Sequence, residues 1–337
     1  MHRDLLDILQ CPACGKGSFS LTATSEADRE VAEGTLACDS CAKEFAITGG
    51  IPRFVPPEDN YCGNFGFQWN KWKAVQVDRL AGHTLSGDRL HGDTTWSPEW
   101  LKGKLVLDAG CGAGRFTDVL ASDGARVISM DLSEAVDACH ETTRAHGERV
   151  QCLQASLFEL PFKDGVFDAV MCMGVIQHTP DPARVMRGLP RLLKPAAPLV
   201  YNFYERGQLE WIQFIKYGLR SFTPSLPVDV TLGLSKLMTV LFFPFTFVLS
   251  RIPVVRQVIR FIPICATHHK VLTVSQQFTW TLLDTFDWYG PRYELRQDHR
   301  QVVRMLDEMG LDAIEGQEGI VRARAPAASK DMAVAAD

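Results

Sequence analysis

The chain has 337 residues, of which 46% are hydrophobic and 22% are charged. This mixture is ordinary for a folded protein and excludes a mainly disordered or fibrous chain. Lysine and arginine total 35 against 40 acidic residues, so the formal net charge is −5. A protein dedicated to nucleic-acid binding usually carries a basic surplus, and this composition disfavours that class.

The first nine residues and the ten cysteines bear on the compartment of the protein. Acidic residues interrupt the apolar positions of residues 1–9, and no long apolar run with a small-residue cleavage site follows. A signal peptide is therefore not expected. Four cysteines form two Cys-x-x-Cys pairs and six are scattered through apolar stretches, unlike a secreted disulfide scaffold. We expect a cytoplasmic protein.

Residues 1–57 form the first predicted unit, which contains both cysteine pairs. The pairs are Cys11-Pro-Ala-Cys14 and Cys38-Asp-Ser-Cys41, separated by 23 residues. Two such knuckles can surround one Zn²⁺ with four thiolates, and a closed set of four leaves no position for a reacting ligand. The spacing predicts a structural zinc that stabilises a unit too small to fold by its core alone.

The next two segments differ sharply in composition. Residues 58–100 are rich in aromatic side chains, which favours a cap that packs over another part of the molecule. Residues 101–205 instead alternate apolar strands with helical stretches, the pattern of a parallel sheet with right-handed crossovers. The predicted strands are 104–108, 126–130, 150–154, 166–171 and 198–202, and the predicted helices are 113–122, 133–146 and 181–193.

The remaining third of the chain begins with a basic, apolar stretch. Residues 208–265 contain six basic and two acidic residues, and 237–249 are almost wholly apolar. This pattern fits either a buried helical lid over residues 206–297 or a surface that contacts a bilayer or a lipid-like substrate. Residues 298–324 read as a helix and two strands that complete the sheet, and 325–337 as a disordered tail.

The segment that predicts chemistry runs from Leu105 to Phe116. Here a strand ends in Asp108 and turns through Gly110, Gly112 and Gly114 into a helix. Glycines let a ligand approach the backbone, and a helix N-terminus supplies free N–H groups. The spacing is G-x-G-x-G, not the dinucleotide G-x-G-x-x-G, and Asp131 ends the next strand, where a carboxylate can bind ribose hydroxyls. An acid beside the loop suits a cationic nucleoside such as S-adenosylmethionine.

At these residues the chain resembles the class I S-adenosylmethionine-dependent methyltransferases, with a core similar to the type 11 group. Leu160-Pro-Phe, Val166-Phe-Asp-Ala-Val and the segment 173–178 match further motifs of that family. The resemblance implies a Rossmann-like, mainly parallel seven-stranded α/β sheet with flanking helices. An N-terminal zinc ribbon and a helical lid insertion would be added to it. The ribbon resembles the small activator protein that partners tRNA methyltransferases.

The same resemblance assigns candidate site residues. Asn64–Asn70 is similar to a stretch that caps the cofactor in bacterial methyltransferases. Ser156 stands at the position, four residues before Leu160, where the family often has an adenine-binding acid. The predicted cofactor-binding residues are Asp108, Ala109, Gly110, Gly112, Gly114, Arg115, Asp131, Leu132, Ser156, Leu157, Met173, Phe65, Gln68 and Trp69.

His178 is the main candidate base because histidine titrates near neutral pH, and Tyr289 and His268 are weaker candidates. For Asp168 the sequence leaves two roles equally open, a structural hydrogen bond to a neighbouring turn and a place in the wall of the active site.

Three functions remain open from the sequence. The first is methylation of a small-molecule acceptor or a lipid- or glycan-linked one, as in natural-product or glycan biosynthesis, by direct transfer to oxygen. The second is an RNA or protein methyltransferase that uses the ribbon to bind its substrate or partner, although the negative charge makes nucleic acid an unexpected ligand. The third is a scaffold that binds the cofactor without catalysis. The cytoplasmic protein would be membrane-associated if 208–265 contacts lipid.

Overall fold

The computed structural model describes residues 1–27, 29–55, 61–207, 213–252, 259 and 261–327. Within them lie a four-stranded sheet and a seven-stranded sheet. The large sheet has the order β10-β11-β9-β8-β5-β6-β7, in which β9, β8, β5, β6 and β7 are parallel and β10 and β11 run antiparallel. The predicted mainly parallel, Rossmann-like α/β fold is therefore confirmed.

The N-terminal unit is an antiparallel meander after a short 3₁₀ turn at Arg3–Asp7. Its strands are β1 (Phe19–Ala27), β2 (Glu30–Cys38), β3 (Glu44–Thr48) and β4 (Ile51–Pro52). The rings of Phe19, Phe45 and Phe54 pack together with centroids 5.0–5.9 Å apart. These rings belong to a buried cluster that continues into the large sheet, so the unit shares its core with that sheet.

The meander is joined to the large sheet by hydrogen bonds and by shared core residues. The backbone N–H of Phe54 donates to the carbonyl of Gln154 at 2.8 Å, and Arg53 forms an ion pair with Asp137 at 2.6 Å. Leu9 packs in the same buried cluster as Phe162. These contacts cover the outer edge of β7, which is the terminal strand of the large sheet.

The aromatic segment forms four short helices rather than an extended linker. They are α1 (Gly63–Lys71), α2 (Asp78–Ala81), α3 (Leu85–Thr94) and α4 (Pro98–Leu101). Ser97 caps α4 by accepting from the N–H of Trp100, and a proline occupies its first turn. The structure thus places helices where the composition predicts a cap.

The core strands and helices follow the predicted alternation closely. The strands are β5 (Leu105–Ala109), β6 (Arg126–Asp131), β7 (Val150–Gln154), β8 (Ala169–Met173) and β9 (Pro198–Asn202), and the intervening helices are α5 (Arg115–Ser122), α6 (Ala135–Thr143) and α7 (Pro182–Gly188). β8 begins three residues later than predicted. Asp168 accepts from the Leu105 N–H at 2.8 Å and from Lys194 at 2.9 Å, so its role is the structural alternative.

The last third contributes three helices above the sheet and then its final strands. The helices are α8 (Phe214–Arg220), α9 (Val228–Leu249) and α10 (Val274–Tyr289), followed by α11 (His299–Glu308), β10 (Asp312–Gln317) and β11 (Ile320–Arg324). Thr273 and Gln276 form a capping box at the start of α10. The disordered tail is predicted from residue 325, but Ala325 is buried and its N–H donates to the carbonyl of Ala197 at 2.9 Å. Residues 328–337 of the predicted tail lie outside the described residues.

Candidate active site

A cavity of about 510 Å³ lies at the carboxyl edge of the parallel strands. The residues just after β5, β6, β7 and β8 form its floor, and α1 and α10 supply residues from above. This edge is where doubly wound sheets bind nucleotides, and the volume lies within the usual range for a small ligand. The cavity is therefore the candidate site.

Two of the three glycines of the turn line the cavity, and each requires the absence of a side chain. Gly110 has φ +92°, and a Cβ there would lie 2.3 Å from Cγ2 of Val175. Gly112 has φ +52° and faces the indole of Trp69. Gly114 lies beneath the cavity, where its Cβ would meet the sulfur of Cys139 at 2.9 Å. Its role is close packing of two helices, and the structure does not place it against a ligand.

Asp131 lines the cavity, as the cofactor hypothesis requires. Its Oδ2 accepts from the Gly112 N–H at 3.0 Å, while its Oδ1 accepts from the backbone N–H and the hydroxyl of Ser133 at 2.9 and 2.7 Å. Burial raises the pKa of this carboxyl, which these donors partly oppose. The three hydrogen bonds fix the carboxylate and the glycine turn in one arrangement, and a carboxylate has lone pairs left to accept more.

Asp108 requires a correction, because the structure does not place it in the cavity. It is buried under the glycine turn, where its Oδ2 accepts from the hydroxyl of Thr117 at 2.7 Å. Burial raises its pKa to about 7. Ala109 is likewise buried in β5 and does not line the cavity. Adjacent strand residues point to opposite faces of the sheet, so Asp108 packs toward α5 through Thr117, Ala109 packs on the other side, and neither reaches the cavity.

Arg115 lines the cavity at the start of α5. Its guanidinium donates to Gln76 Oε1 at 2.7 Å and to the Ser86 hydroxyl at 3.2 Å, both neutral groups. Burial and the nearby Arg89 lower its pKa to about 9. A half-buried cation at the cavity wall, with neutral hydrogen-bond partners, favours an anionic group of a ligand.

The remaining predicted cofactor residues divide into those that line the cavity and those that do not. Phe65, Trp69, Leu132, Leu157 and Met173 line it. Gln68 instead donates from Nε2 to Asp287 Oδ1 at 3.0 Å, and the Ser156 hydroxyl accepts from the N–H of Phe158. The prediction that Gln68 and Ser156 bind the cofactor is thus corrected. Each side chain is hydrogen-bonded within the protein and does not line the cavity.

His178 lies in the cavity wall between the rings of Phe65 and Tyr204. Its Nδ1 is 3.0 Å from the carbonyl oxygen of Tyr293. A carbonyl only accepts, so Nδ1 carries the hydrogen and Nε2 keeps a lone pair. Burial lowers the pKa of His178 and favours the neutral imidazole. This is the protonation state that a general base needs.

The two weaker catalytic candidates are placed elsewhere. Tyr289 is fully buried, and its hydroxyl donates to the carbonyl of Pro263 at 3.0 Å. His268 is bound between Gln277 and Thr246 and does not line the cavity. Its neighbour His269 does line it. Neither Tyr289 nor His268 is therefore positioned to act on a ligand in this cavity.

Asp284 and Asp287 of α10 line the cavity. They belong to residues 283–293, a stretch that resembles acceptor-lining segments of bacterial methyltransferases, but the sequence did not single out either acid as a site residue. Burial raises the pKa of Asp284 to about 7, and the neighbouring Asp287 adds to this rise. Asp287 is held by Gln68 at 3.0 Å and by the Tyr204 hydroxyl at 3.4 Å. These two acids are the only charged residues of α10 (Val274–Tyr289), which was a usable signal because burying carboxylates is costly without a function or a partner.

The four cysteines of the first segment come together in space. Their sulfur atoms all lie within 4.8 Å of one another, with Cys11 and Cys41 3.8 Å apart and Cys14 and Cys38 3.7 Å apart. The edge of a zinc–thiolate tetrahedron with bonds of about 2.3 Å is roughly 3.8 Å. The donor set and its spacing therefore fit one tetrahedral Zn²⁺.

Residues 107–201 match the family model described as "Methyltransferase domain". Curated relatives named ubiquinone biosynthesis O-methyltransferase are similar over about a third of the chain. The protein of Coxiella burnetii (strain Dugway 5J108-111) is 36% identical over 110 residues, which are 32% of this chain and 46% of the relative. That of Escherichia coli O7:K1 (strain IAI39 / ExPEC) is 32% identical over 117 residues, or 34% of this chain and 49% of the relative.

The chain thus spans about half the length of the curated relatives it matches. Among solved structures, magnesium protoporphyrin IX methyltransferase from Synechocystis PCC 6803, with bound SAH, is 17% identical. The match covers 77% of this chain and 94% of that one, at a TM-score of 0.43. That score is too low to carry an argument about function. The sequence matches show that residues 107–201 are similar to methyltransferase domains.

Proposed function

We propose that the protein is an S-adenosylmethionine-dependent methyltransferase that acts on a small-molecule acceptor, with transfer to oxygen. The observation that carries this proposal is the cavity floor, where the glycine turn, Asp131 and Arg115 meet inside the matched domain. The names of the curated relatives agree with a small-molecule acceptor and with oxygen as the methylated atom.

The residues of the floor match the parts of S-adenosylmethionine. Asp131 is fixed where its carboxylate can accept from ribose hydroxyls, and Leu132 and Leu157 offer apolar surface to an adenine. Arg115 supplies a positive charge for the carboxylate of the methionine part. When bound, this cofactor supplies a methyl group already activated by the sulfonium. The protein then mainly has to orient the acceptor and exclude water.

An oxygen acceptor has to lose its proton, and two groups in the cavity wall can receive it. His178 is held as the Nδ1–H tautomer, which leaves Nε2 free to accept. Asp284, with a pKa of about 7, is partly ionised near neutral pH. Both groups lie in the wall of the same cavity, with Asp287 and Tyr204. We assign the base role to His178 first and to Asp284 second.

The zinc proposal rests on the four sulfur atoms described above. Cys11, Cys14, Cys38 and Cys41 would hold a structural Zn²⁺ with no open ligand position. The residues that line the cavity come from 61–287, outside the ribbon. In this proposal the ribbon stabilises the edge of the sheet through Phe54 and Arg53 rather than binding an RNA or protein substrate.

Cofactor binding is tested by calorimetric titration with S-adenosylmethionine and S-adenosylhomocysteine. The variant Gly112→Arg fills the cavity floor and should abolish binding. The matched control is Gly147→Arg, because Gly147 also has a positive φ but is exposed and has open space around its Cβ position. The proposal is wrong if the wild type does not bind, or if both variants bind equally well.

Methyl transfer is tested by incubating the protein with labelled S-adenosylmethionine and a whole-cell extract, which is then separated into small-molecule, RNA and protein fractions. A labelled product heavier than its precursor by one CH₂ group is the expected result. With that product, His178→Asn should lower kcat strongly and leave cofactor affinity nearly unchanged. If His178→Asn retains full kcat while Asp284→Asn loses it, the base assignment passes to Asp284. Label found only in RNA or protein would instead favour the alternative substrates.

A further inference from the structure

Helix α9 presents its polar and apolar side chains on faces opposite to those of an ordinary surface helix. Its outward face carries six large apolar side chains that are each more than half exposed, namely Val230, Leu237, Val240, Leu241, Phe245 and Val248. Four of its seven buried residues are hydroxylic, namely Thr231, Ser235, Thr239 and Thr246. A helix that faces water normally does the reverse. The outward face is therefore suited to an apolar environment.

The inward face of α9 is packed against the rest of the protein. Leu232, near the start of α9, packs with Leu282 and Leu283 of α10, and the ring of Phe243 lies 5.2 Å from that of Phe278. The Ser235 hydroxyl donates to the carbonyl of Thr231 at 2.8 Å, which satisfies it within the helix. Helix α9 thus packs on α10 along most of its length, and the outward face remains available.

The exposed apolar surface is concentrated in one part of the chain. Fifteen large hydrophobic side chains are exposed among the described residues, and all except Leu80 and Leu295 lie between positions 214 and 274. They include Phe214 and Phe222 beside α8 and Val271 and Val274 near the start of α10. Such a concentration marks an interaction surface, whereas scattered exposed hydrophobic residues would not.

The charge of this region has the opposite sign to that of the whole chain. The described charged residues from 213 to 274 are Lys216, Arg220, Lys236, Arg251 and Lys270, against the single acid Asp229. Lys236, Arg251 and Lys270 are exposed. A basic, apolar helix face matches the boundary between acyl chains and anionic headgroups. Two copies meeting symmetrically through this face would bring the same positive charges together, which disfavours a dimer.

We propose that the outward face of α9 binds an anionic lipid surface, with the helix lying in the plane of that surface. Among the described residues α9 alone is long and apolar enough to cross a membrane by length and composition. At about 1.5 Å per residue its 22 residues extend roughly 33 Å. Its packing on α10 from Leu232 to Phe243 nevertheless holds it against the protein, so a spanning orientation would require breaking that interface.

The same surface lies close to the cavity. Leu283 lines the cavity and packs in one cluster with Leu232 of α9. At the other end of α9, His268 contacts Thr246, while the next residue, His269, lines the cavity. If α9 binds lipid, then α10, which forms one wall of the cavity, is separated from the bilayer only by α9. The binding itself does not depend on methyl transfer.

The experiment is vesicle flotation with the full chain. Vesicles of phosphatidylcholine alone are compared with vesicles that also contain phosphatidylglycerol, at low and at high salt. Leu241→Asn and Phe245→Asn each remove a side chain that would insert. Each should lower partitioning about tenfold, as expected when a half-exposed apolar side chain is no longer buried. Leu80→Asn is the matched control, because Leu80 is similarly exposed but lies on α2.

Charge is tested separately with Lys236→Gln and Arg251→Gln. Each should lower binding to the anionic vesicles about fivefold and leave binding to neutral vesicles unchanged. Unchanged urea midpoints and S-adenosylmethionine affinities would show that the variants remain folded. The proposal is overturned if the wild type does not float with anionic vesicles, or if Leu80→Asn has the same effect as Phe245→Asn. The proposal also fails if the wild type does not bind lipid and sedimentation shows that it is a dimer which Phe245→Asn dissociates.

Discussion

The contact between Gly110 and Val175 offers a sharp test of how the glycine turn is built. Gly110 has φ +92°, and its missing Cβ would lie 2.3 Å and 2.8 Å from the two methyl carbons of Val175. Gly174 also lines the cavity and has φ +73°, but nothing lies within 4 Å of its Cβ position. Both positions therefore have a positive φ, but only at Gly110 would an added Cβ collide with a neighbouring side chain.

The expected magnitudes follow from this difference. An alanine forced to positive φ costs about 1–2 kcal/mol, and this is the whole cost expected for Gly174→Ala. Gly110→Ala adds the overlap with Val175, which costs about 1–3 kcal/mol more in a well-packed region. The sum, about 2–5 kcal/mol, is a large part of the free energy of unfolding of a typical domain. We expect Gly110→Ala to be the more damaging variant.

The assay is urea unfolding of five chains: wild type, Gly110→Ala, Gly174→Ala, Val175→Ala and the double variant Gly110→Ala/Val175→Ala. Removing the methyl groups of Val175 should restore at least about 1 kcal/mol to the Gly110→Ala chain beyond the single-variant sum. S-adenosylmethionine affinity should recover in parallel. Equal destabilisation by Gly110→Ala and Gly174→Ala, or the absence of any recovery in the double variant, would refute the steric explanation.

Two further predictions concern the buried acid under the turn and the cysteine cluster. The folded-state pKa of Asp108, about 7, is above its ordinary value of 3.8, so the folded chain binds more protons and stability should fall as pH rises from about 4 to 7. Asp108→Asn should remove about 2–3 kcal/mol of this pH dependence, measured as the change in the free energy of urea unfolding between pH 5 and 8. An unchanged pH dependence would contradict the burial argument. For the cluster, Cys38→Ser or a strong chelator should release one zinc per chain and lower the Tm, whereas Cys265→Ser should retain the metal. Absence of zinc by elemental analysis of the purified wild type would refute the assignment.

Several features were predictable from the sequence because they depend on residues close together in the chain. The glycine turn after β5 needs positive φ at fixed spacing, and the four cysteines occur as two tight pairs. The alternation of apolar strands with capped helices predicted the parallel part of the sheet, and the segment boundaries agree within a few residues. In each case the signal is local backbone geometry or periodicity, which the residues themselves determine.

The tertiary structure alone decided which side chains share the cavity. Asp108 and Asp131 both follow the acid-at-strand-end pattern, yet Asp131 lines the cavity while Asp108 is enclosed by Thr117. Similarly, His269 and not His268 lines the cavity, and Asp284 enters it from α10 more than 150 residues after the glycine turn. Side-chain direction depends on how distant helices pack against the sheet, and that packing leaves no local pattern in the chain. The sequence by itself therefore determined the elements and the turn, and the tertiary packing determined the composition of the site.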